Sequence, residues 1–108
     1  MDFLNKKCVP CEGDTPAFTP EEIQEYIPKL KSGWEVLDNK KIKKEFIFKD
    51  FKQAMAFINR VADIAEAEGH HPDIRIFYNR VMIDLWTHAV MGLSENDFIL
   101  AAKIDNIS

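Results

Sequence analysis

From Phe51 to Ala65 the apolar residues recur at three- and four-residue spacing, the period of an amphipathic helix. Phe51, Ala54, Met55, Ile58, Ala62 and Ala65 form one stripe, flanked by Phe57, Val61 and Ile64. On both sides of this run the period changes to two, and each side holds a pair of strand-like segments rather than one. "GWEVL" and "IKKEFIFKD" precede it, joined by the polar turn "DNKK", with Phe46 and Phe48 on one face and Ile47 on the other. "DIRIFYNRVMIDLWTH" follows it as two strands joined across Tyr78-Asn79-Arg80. A parallel, doubly wound sheet needs strands and helices to alternate singly, and this chain does not.

The remaining helices close the pattern. "TPEE" opens the first, with Thr19 at the N-cap, Pro20 at the first helical position and Glu22 completing a capping box. Ile23, Tyr26, Ile27 and Leu30 give it one apolar stripe, and Ser32-Gly33 ends it. Asp50 caps the long helix, with Gln53 three residues on, and Gly69 stops it. "SEND" is a second capping box, Ser94 with Asp97, opening a last helix that turns Phe98, Ala101, Ala102, Ile104 and Ile107 inward. The order α-β-β-α-β-β-α predicts an α+β fold: a four-stranded antiparallel sheet with helices packed on one face.

At 108 residues the chain is of single-domain size. Residues 1–18, with Pro10, Gly13 and Pro16, read as a flexible N-terminal arm, and 19–108 as the folded domain. Fourteen basic against eighteen acidic residues give a net charge of −4, which argues against a nucleic-acid partner because phosphate binding needs a basic face. No apolar run reaches the ~20 residues of a membrane span, and the first residues lack a signal-peptide core, so a cytoplasmic protein is expected. Cys8 and Cys11 form a lone C-x-x-C. A structural zinc site wants four ligands, and a thioredoxin-like motif opens a helix after a strand; neither context is present, and no essential chemistry is expected of the pair.

All three histidines fall within nineteen residues, at His70, His71 and His88. Val81, Ile83, Leu85 and Thr87 share one face of the second hairpin strand, while Met82, Asp84, Trp86 and His88 share the other. Antiparallel register pairs positions whose numbers sum to a constant, so a turn near Tyr78 to Arg80 brings residues around 70 to 72 opposite residues around 87 to 89. Linear clustering thus becomes spatial clustering. Imidazoles titrate near neutrality and serve as general acids and bases, with Glu66 and Asp97 as the candidate carboxylates. The plainer readings are a polar helix-to-strand junction at His71-Pro72, a helix cap at Asp97, and tryptophans used for packing. A three-histidine zinc site is a third possibility, disfavoured because adjacent side chains diverge in an extended chain.

The spacing Glu66-x-x-x-His70-His71-Pro72, then Tyr78, His88 and Asp97, resembles the signature of the pterin-4a-carbinolamine dehydratases. "GW" at 33–34, "FKDF" at 48–51, "YNRV" at 78–81, "TH" at 87–88 and "GLSENDF" at 92–98 agree with it. The resemblance covers about Thr19 to the C-terminus. It implies dehydration of 4a-hydroxytetrahydropterin to quinonoid dihydropterin, a hydro-lyase step that recycles the pterin after aromatic amino-acid hydroxylation. His70, His71 and His88 would move the protons, Asp97 would orient His88, and Glu66 would support His70. Trp34 would wall the pterin, with Pro72 and Thr87 also against the substrate. The resemblance implies no metal and no bound cofactor, since the pterin is the substrate. It further implies a homodimer or homotetramer, with an aromatic amino-acid hydroxylase as a pathway partner. The rival expectation is a non-catalytic pterin-binding or protein-interaction module of the same fold. The arm "CVPCEGDTPAF" has no counterpart in animal members, whereas many microbial members carry a similar leader.

Overall fold

The computed structural model describes residues 3–9 and 16–108; Cys11 lies outside them. The first helix, α1 (Pro20–Tyr26), begins at the expected capping box, in which Thr19 Oγ1 accepts the Glu22 N–H and Glu22 Oε1 accepts the Thr19 N–H. It ends before its apolar stripe does. Pro28 has no N–H to return to the Gln24 carbonyl, so Ile27–Lys29 tightens into a single 3-10 turn.

Strands β1 (Glu35–Leu37) and β2 (Lys41–Ile47) pair across Asp38-Asn39, both with positive φ near 54° (53° and 54°). Two successive left-handed residues make the hairpin turn whose twist matches its strands. Helix α2 (Phe51–Glu68) starts at Asp50, whose Oδ1 accepts the Gln53 N–H at 2.9 Å. Its buried line is Ala54, Phe57, Val61 and Ala65, while Phe51 is 48% exposed and Ala62 faces solvent. The inward face is therefore rotated from the expected stripe toward Phe57, whose ring meets Phe46 and Phe48 at 4.8 and 4.9 Å. Periodicity fixes the width of a stripe; the aromatic rings on the sheet fix its centre. Each fully buried side chain of this size stabilises the fold by roughly 1.5–3 kcal/mol.

Strands β3 (Asp73–Phe77) and β4 (Arg80–Leu85) form the second hairpin. Arg80 belongs to β4, so the turn is Tyr78-Asn79 alone, with Tyr78 at φ 54°. Asn79 ties the turn to β2's end: its carbonyl accepts the Phe48 N–H, and its amide donates to the Phe48 carbonyl. The sheet is antiparallel throughout, in the order β1-β2-β4-β3. Register puts Ile42, Lys44, Phe46, Ile74, Ile76, Val81, Ile83 and Leu85 on one face, where the helices pack. The other face carries ion pairs, Arg75 with Asp84 and Arg80 with Glu45.

Helix α3 (Glu95–Ile107) is buried along much of its length, including Ile99 and Leu100 besides the expected inward residues Phe98, Ala101 and Ile104; Ala102 and Ile107 are half-buried. Lys44, on the core face, is accommodated because its ammonium meets the Asp105 carboxylate at 2.6 Å. The part of the arm at 3–9 lies against α3, and Phe3 joins the core at 3% exposure. Among the described residues, no helix is long and apolar enough to cross a membrane.

Candidate active site

The site is assembled where three elements end. Gly69 closes α2 in the left-handed conformation (φ 67°, ψ 25°), and the next N–H, that of His70, returns to the Ala65 carbonyl. This reversal turns His70 toward α3 and leaves His71 beside the last turn of α2. On the opposite strand, Thr87 and Gly92 exchange backbone hydrogen bonds, closing a small loop that contains the 3-10 turn His88–Val90. His88 therefore stands on a loop just past β4 rather than on the strand. Gly92 is required there: a Cβ at this position would lie 2.9 Å from that of Ala17.

His70 Nε2 lies 2.6 Å from Asp97 Oδ1, with the histidine 12% and the aspartate 0% exposed at the side chain. The other carboxylate oxygen accepts the Thr87 hydroxyl at 2.8 Å and the Ser94 N–H at 3.0 Å. Asp97 thus completes the capping box of α3, whose N-cap is Ser94, and is at the same time the partner of a site histidine. The carboxylate can accept from His70 Nε2 as it does from Thr87 and Ser94, and in the tautomer protonated at Nε2 the ring's acceptor is Nδ1. His71 Nε2 pairs with Glu66 Oε2 at 2.5 Å, both well exposed. His88 stacks on Trp86, ring centroids 3.8 Å apart and planes inclined by 30°.

These pairs differ from the expected ones. Glu66 and His70 would face each other at an i, i+4 spacing only if α2 continued through Gly69, and the left-handed residue there ends it. Asp97 consequently meets His70, and Glu66 meets His71.

His70, His71, Pro72, Thr87 and His88 all line one cavity of about 420 Å³. Small-molecule sites typically occupy roughly 300–1,000 Å³. Asp97 and Glu66 stand behind the histidines as hydrogen-bond partners. Trp34 is elsewhere: it is 8% exposed, its ring lies 6.2 Å from that of Phe46, and its indole N–H donates to Asp105 at 2.9 Å. Trp86, Asp73, Asn96 and Val9 also line the cavity. Trp86 shares the strand face of His88 in the alternation, so its place was open to inference; Val9 and Asn96 lie within the C-x-x-C and the "SEND" capping box, neither of which points to a place in the cavity. Among the described residues, no group of three His, Cys, Asp or Glu is placed to hold a metal ion.

Two groups beside the site, Cys8 and Glu68, are displaced from their ordinary titration ranges. Burial pushes the Cys8 thiol up to about 12, with the Glu68 charge adding to the effect. Burial alone would also raise Glu68, but hydrogen bonds from Lys103 and the Cys8 N–H more than offset it and hold the carboxyl below its usual range.

The cavity is edged by one shielded imidazole–carboxylate pair, one exposed pair and one stacked imidazole, side chains of the kind that can exchange protons near neutrality. The family model described as Pterin 4 alpha carbinolamine dehydratase matches residues 16–107, and the chain belongs to that family. A relative from Nitrosospira multiformis, provisionally named a pterin-4-alpha-carbinolamine dehydratase, is 51% identical over 106 residues, covering 98% of this chain and 92% of its own. One of the same provisional name from Alkaliphilus metalliredigens is 45% identical over 104 residues, covering 96% and 94%. A crystal structure from Brucella melitensis titled a transcriptional coactivator/pterin dehydratase superposes with TM-score 0.79 at 37% identity, over 84% of this chain and 97% of that one. A pterin dehydratase-like protein identified as a RuBisCO assembly factor in the alpha-carboxysome superposes with TM-score 0.62 at 25% identity, over 71% and 90%.

Proposed function

We propose that this protein is a hydro-lyase that dehydrates 4a-hydroxytetrahydropterin to quinonoid dihydropterin by histidine acid–base catalysis. The observation that carries the reading is the convergence of His70, His71 and His88 on one cavity, with His70 held on the buried Asp97. The reaction asks for two proton movements. The C4a–O bond breaks as the hydroxyl takes a proton and leaves as water, while the lone pair of the neighbouring nitrogen closes a C=N bond. That nitrogen then gives up its proton. His70, with Nδ1 free to accept, is the base. His88, free of any carboxylate partner among the described residues, delivers the proton to the hydroxyl, and the solvent-facing His71–Glu66 pair exchanges protons with water. Positioned acids and bases each supply about 10²–10⁴-fold. Pro72 and Thr87 lie against the substrate, and Trp86, rather than Trp34, supplies the aromatic wall. The pterin is substrate and no resident cofactor is needed.

In this reading the protein works in the cytoplasm as a homodimer or homotetramer, returning pterin used by an aromatic amino-acid hydroxylase. Exposed Ile47, Phe77 and Tyr78 at one end of the sheet favour a second reading, a non-catalytic protein-interaction module of the same fold. Stopped-flow decay of freshly generated 4a-hydroxytetrahydropterin separates the two: acceleration over the buffer-catalysed rate is expected of the enzyme, and none of the module.

A further inference from the structure

The cavity has one wall that comes from outside the matched motif. Residues 6–9 of the arm run across the start of α3 and are held along their length. Lys6 pairs with Glu95 at 3.0 Å. The Cys8 N–H donates to Glu68 Oε1 at 2.8 Å, and Glu68 Oε2 is held in turn by Lys103 at 2.6 Å. Asn96, 6% exposed, grips the next residue by both backbone groups: its Oδ1 accepts the Val9 N–H at 3.0 Å, and its Nδ2 donates to the Val9 carbonyl at 2.6 Å. An amide that pairs with donor and acceptor of one residue fixes the direction of that residue's side chain. Asn96 is also the neighbour of Asp97, so the arm and the His70 partner are set by the same helical turn.

The side chain so fixed is an isopropyl group left 64% exposed on the cavity edge. The polar grip holds Val9 in place while its apolar surface stays in water, where it gains nothing from the core. Covering that surface is favourable by about 25 cal/mol per Å².

We propose that residues 6–9 form a fixed strap that holds Val9 at the cavity edge, and that Val9 is a specificity-determining contact for the substituted edge of the pterin, with Asn96 as its positioning residue. This rests on the pterin reading above. An isopropyl wall favours a short apolar substituent on that edge over a polyhydroxylated one. Because the reacting atoms are served by the histidines, the strap acts on binding rather than on the proton transfers.

The test compares Val9→Ser, Asn96→Ala and the double variant on 6-methyl and 6-dihydroxypropyl 4a-hydroxytetrahydropterins, together with Kd for the corresponding stable 7,8-dihydropterins. Val9 is exposed, so Val9→Ser leaves the fold intact. The expected result is a rise of roughly 3- to 10-fold in KM and Kd for the methyl compounds, with kcat within about 2-fold, as for loss of an interaction made equally in ground and transition states. The preference for methyl falls by a similar factor. Asn96→Ala reproduces the shift, and the double variant adds nothing further, because Asn96 acts through Val9. Unchanged KM and Kd in Val9→Ser, or effects of the two substitutions that add, overturn the strap while leaving the dehydratase reading standing. Pterin binding weakened by Val9→Ser in a protein without turnover upholds the strap and overturns the dehydratase instead. Absence of any pterin binding overturns both.

Discussion

His70 Nε2 and Asp97 Oδ1 lie 2.6 Å apart, although the two residues are 27 positions apart in the chain and the carboxylate is wholly buried. The same carboxylate caps α3 through the Ser94 N–H and accepts the Thr87 hydroxyl, so helix start, loop and site histidine share one anion. Asp97→Asn replaces an acceptor with a group that can present N–H to Nε2, favouring the wrong tautomer of His70. The expected outcome is a fall in kcat of about 10²-fold or more with little change in KM. The weakened cap also lowers stability, by ~1 kcal/mol. Steady-state kinetics and a thermal melt of the same variant check both parts.

Trp34 gives the opposite forecast. Its indole N–H reaches Asp105, which also holds Lys44, in a buried network remote from the histidines. Trp34→Phe keeps the ring packing and leaves a buried carboxylate oxygen one donor short. Such a loss costs about 1–3 kcal/mol of stability. Denaturant unfolding should register it, while kcat and KM stay at wild-type values.

Much of this arrangement was legible from spacing. The alternation that turned Val81, Ile83, Leu85 and Thr87 inward holds, as all four are buried. The β3–β4 register, with Asp73 opposite Asp84, carries His70 toward Thr87 just as a hairpin sum implies. Other features were hidden because they depend on backbone reversals or distant partners. Glu66 meets His71 rather than His70 because one left-handed glycine ends α2 before His70, and Asp97 meets His70 rather than the expected His88. The early end of α1 follows from Pro28, which an apolar stripe does not register. Lys44 lies on the core face only because Asp105, 61 positions away, is there to meet it. The packing of Phe3 and the grip of Asn96 on Val9 have no local signature, since neither involves a repeating pattern.

The Glu68 latch has a defined pH dependence. Its carboxyl is held below the ordinary value of 4.5 in the folded protein, with Lys103 and the Cys8 N–H as the favourable partners. A depressed folded value means the stabilisation is complete above the unfolded value and is lost as pH falls through the folded one. The strap should therefore stay docked at neutral pH and loosen below the ordinary carboxylate range. Limited proteolysis between pH 7 and pH 3 with an acid-tolerant protease should show N-terminal cleavage rising in that acidic window, ahead of cleavage within the sheet. Glu68→Gln, neutral at every pH, should raise N-terminal cleavage already at pH 7 and flatten its dependence on pH.

Cys8 should be chemically quiet. With its thiol raised to about 12 by burial, almost no thiolate exists at pH 8. Peptide-resolved mass spectrometry should find slow alkylation of Cys8 by iodoacetamide in the folded protein and rapid alkylation after unfolding in denaturant.

The central claim is that the three imidazoles act together on one substrate in one cavity. Its most direct test is the stopped-flow rate of 4a-hydroxytetrahydropterin dehydration by the wild-type protein and by His71→Ala and His88→Ala, each verified as folded by circular dichroism. The account predicts a wild-type rate far above the buffer-catalysed one, and a clear fall in each variant with the fold retained. A wild-type rate equal to that of buffer, or full activity in both variants, would contradict it.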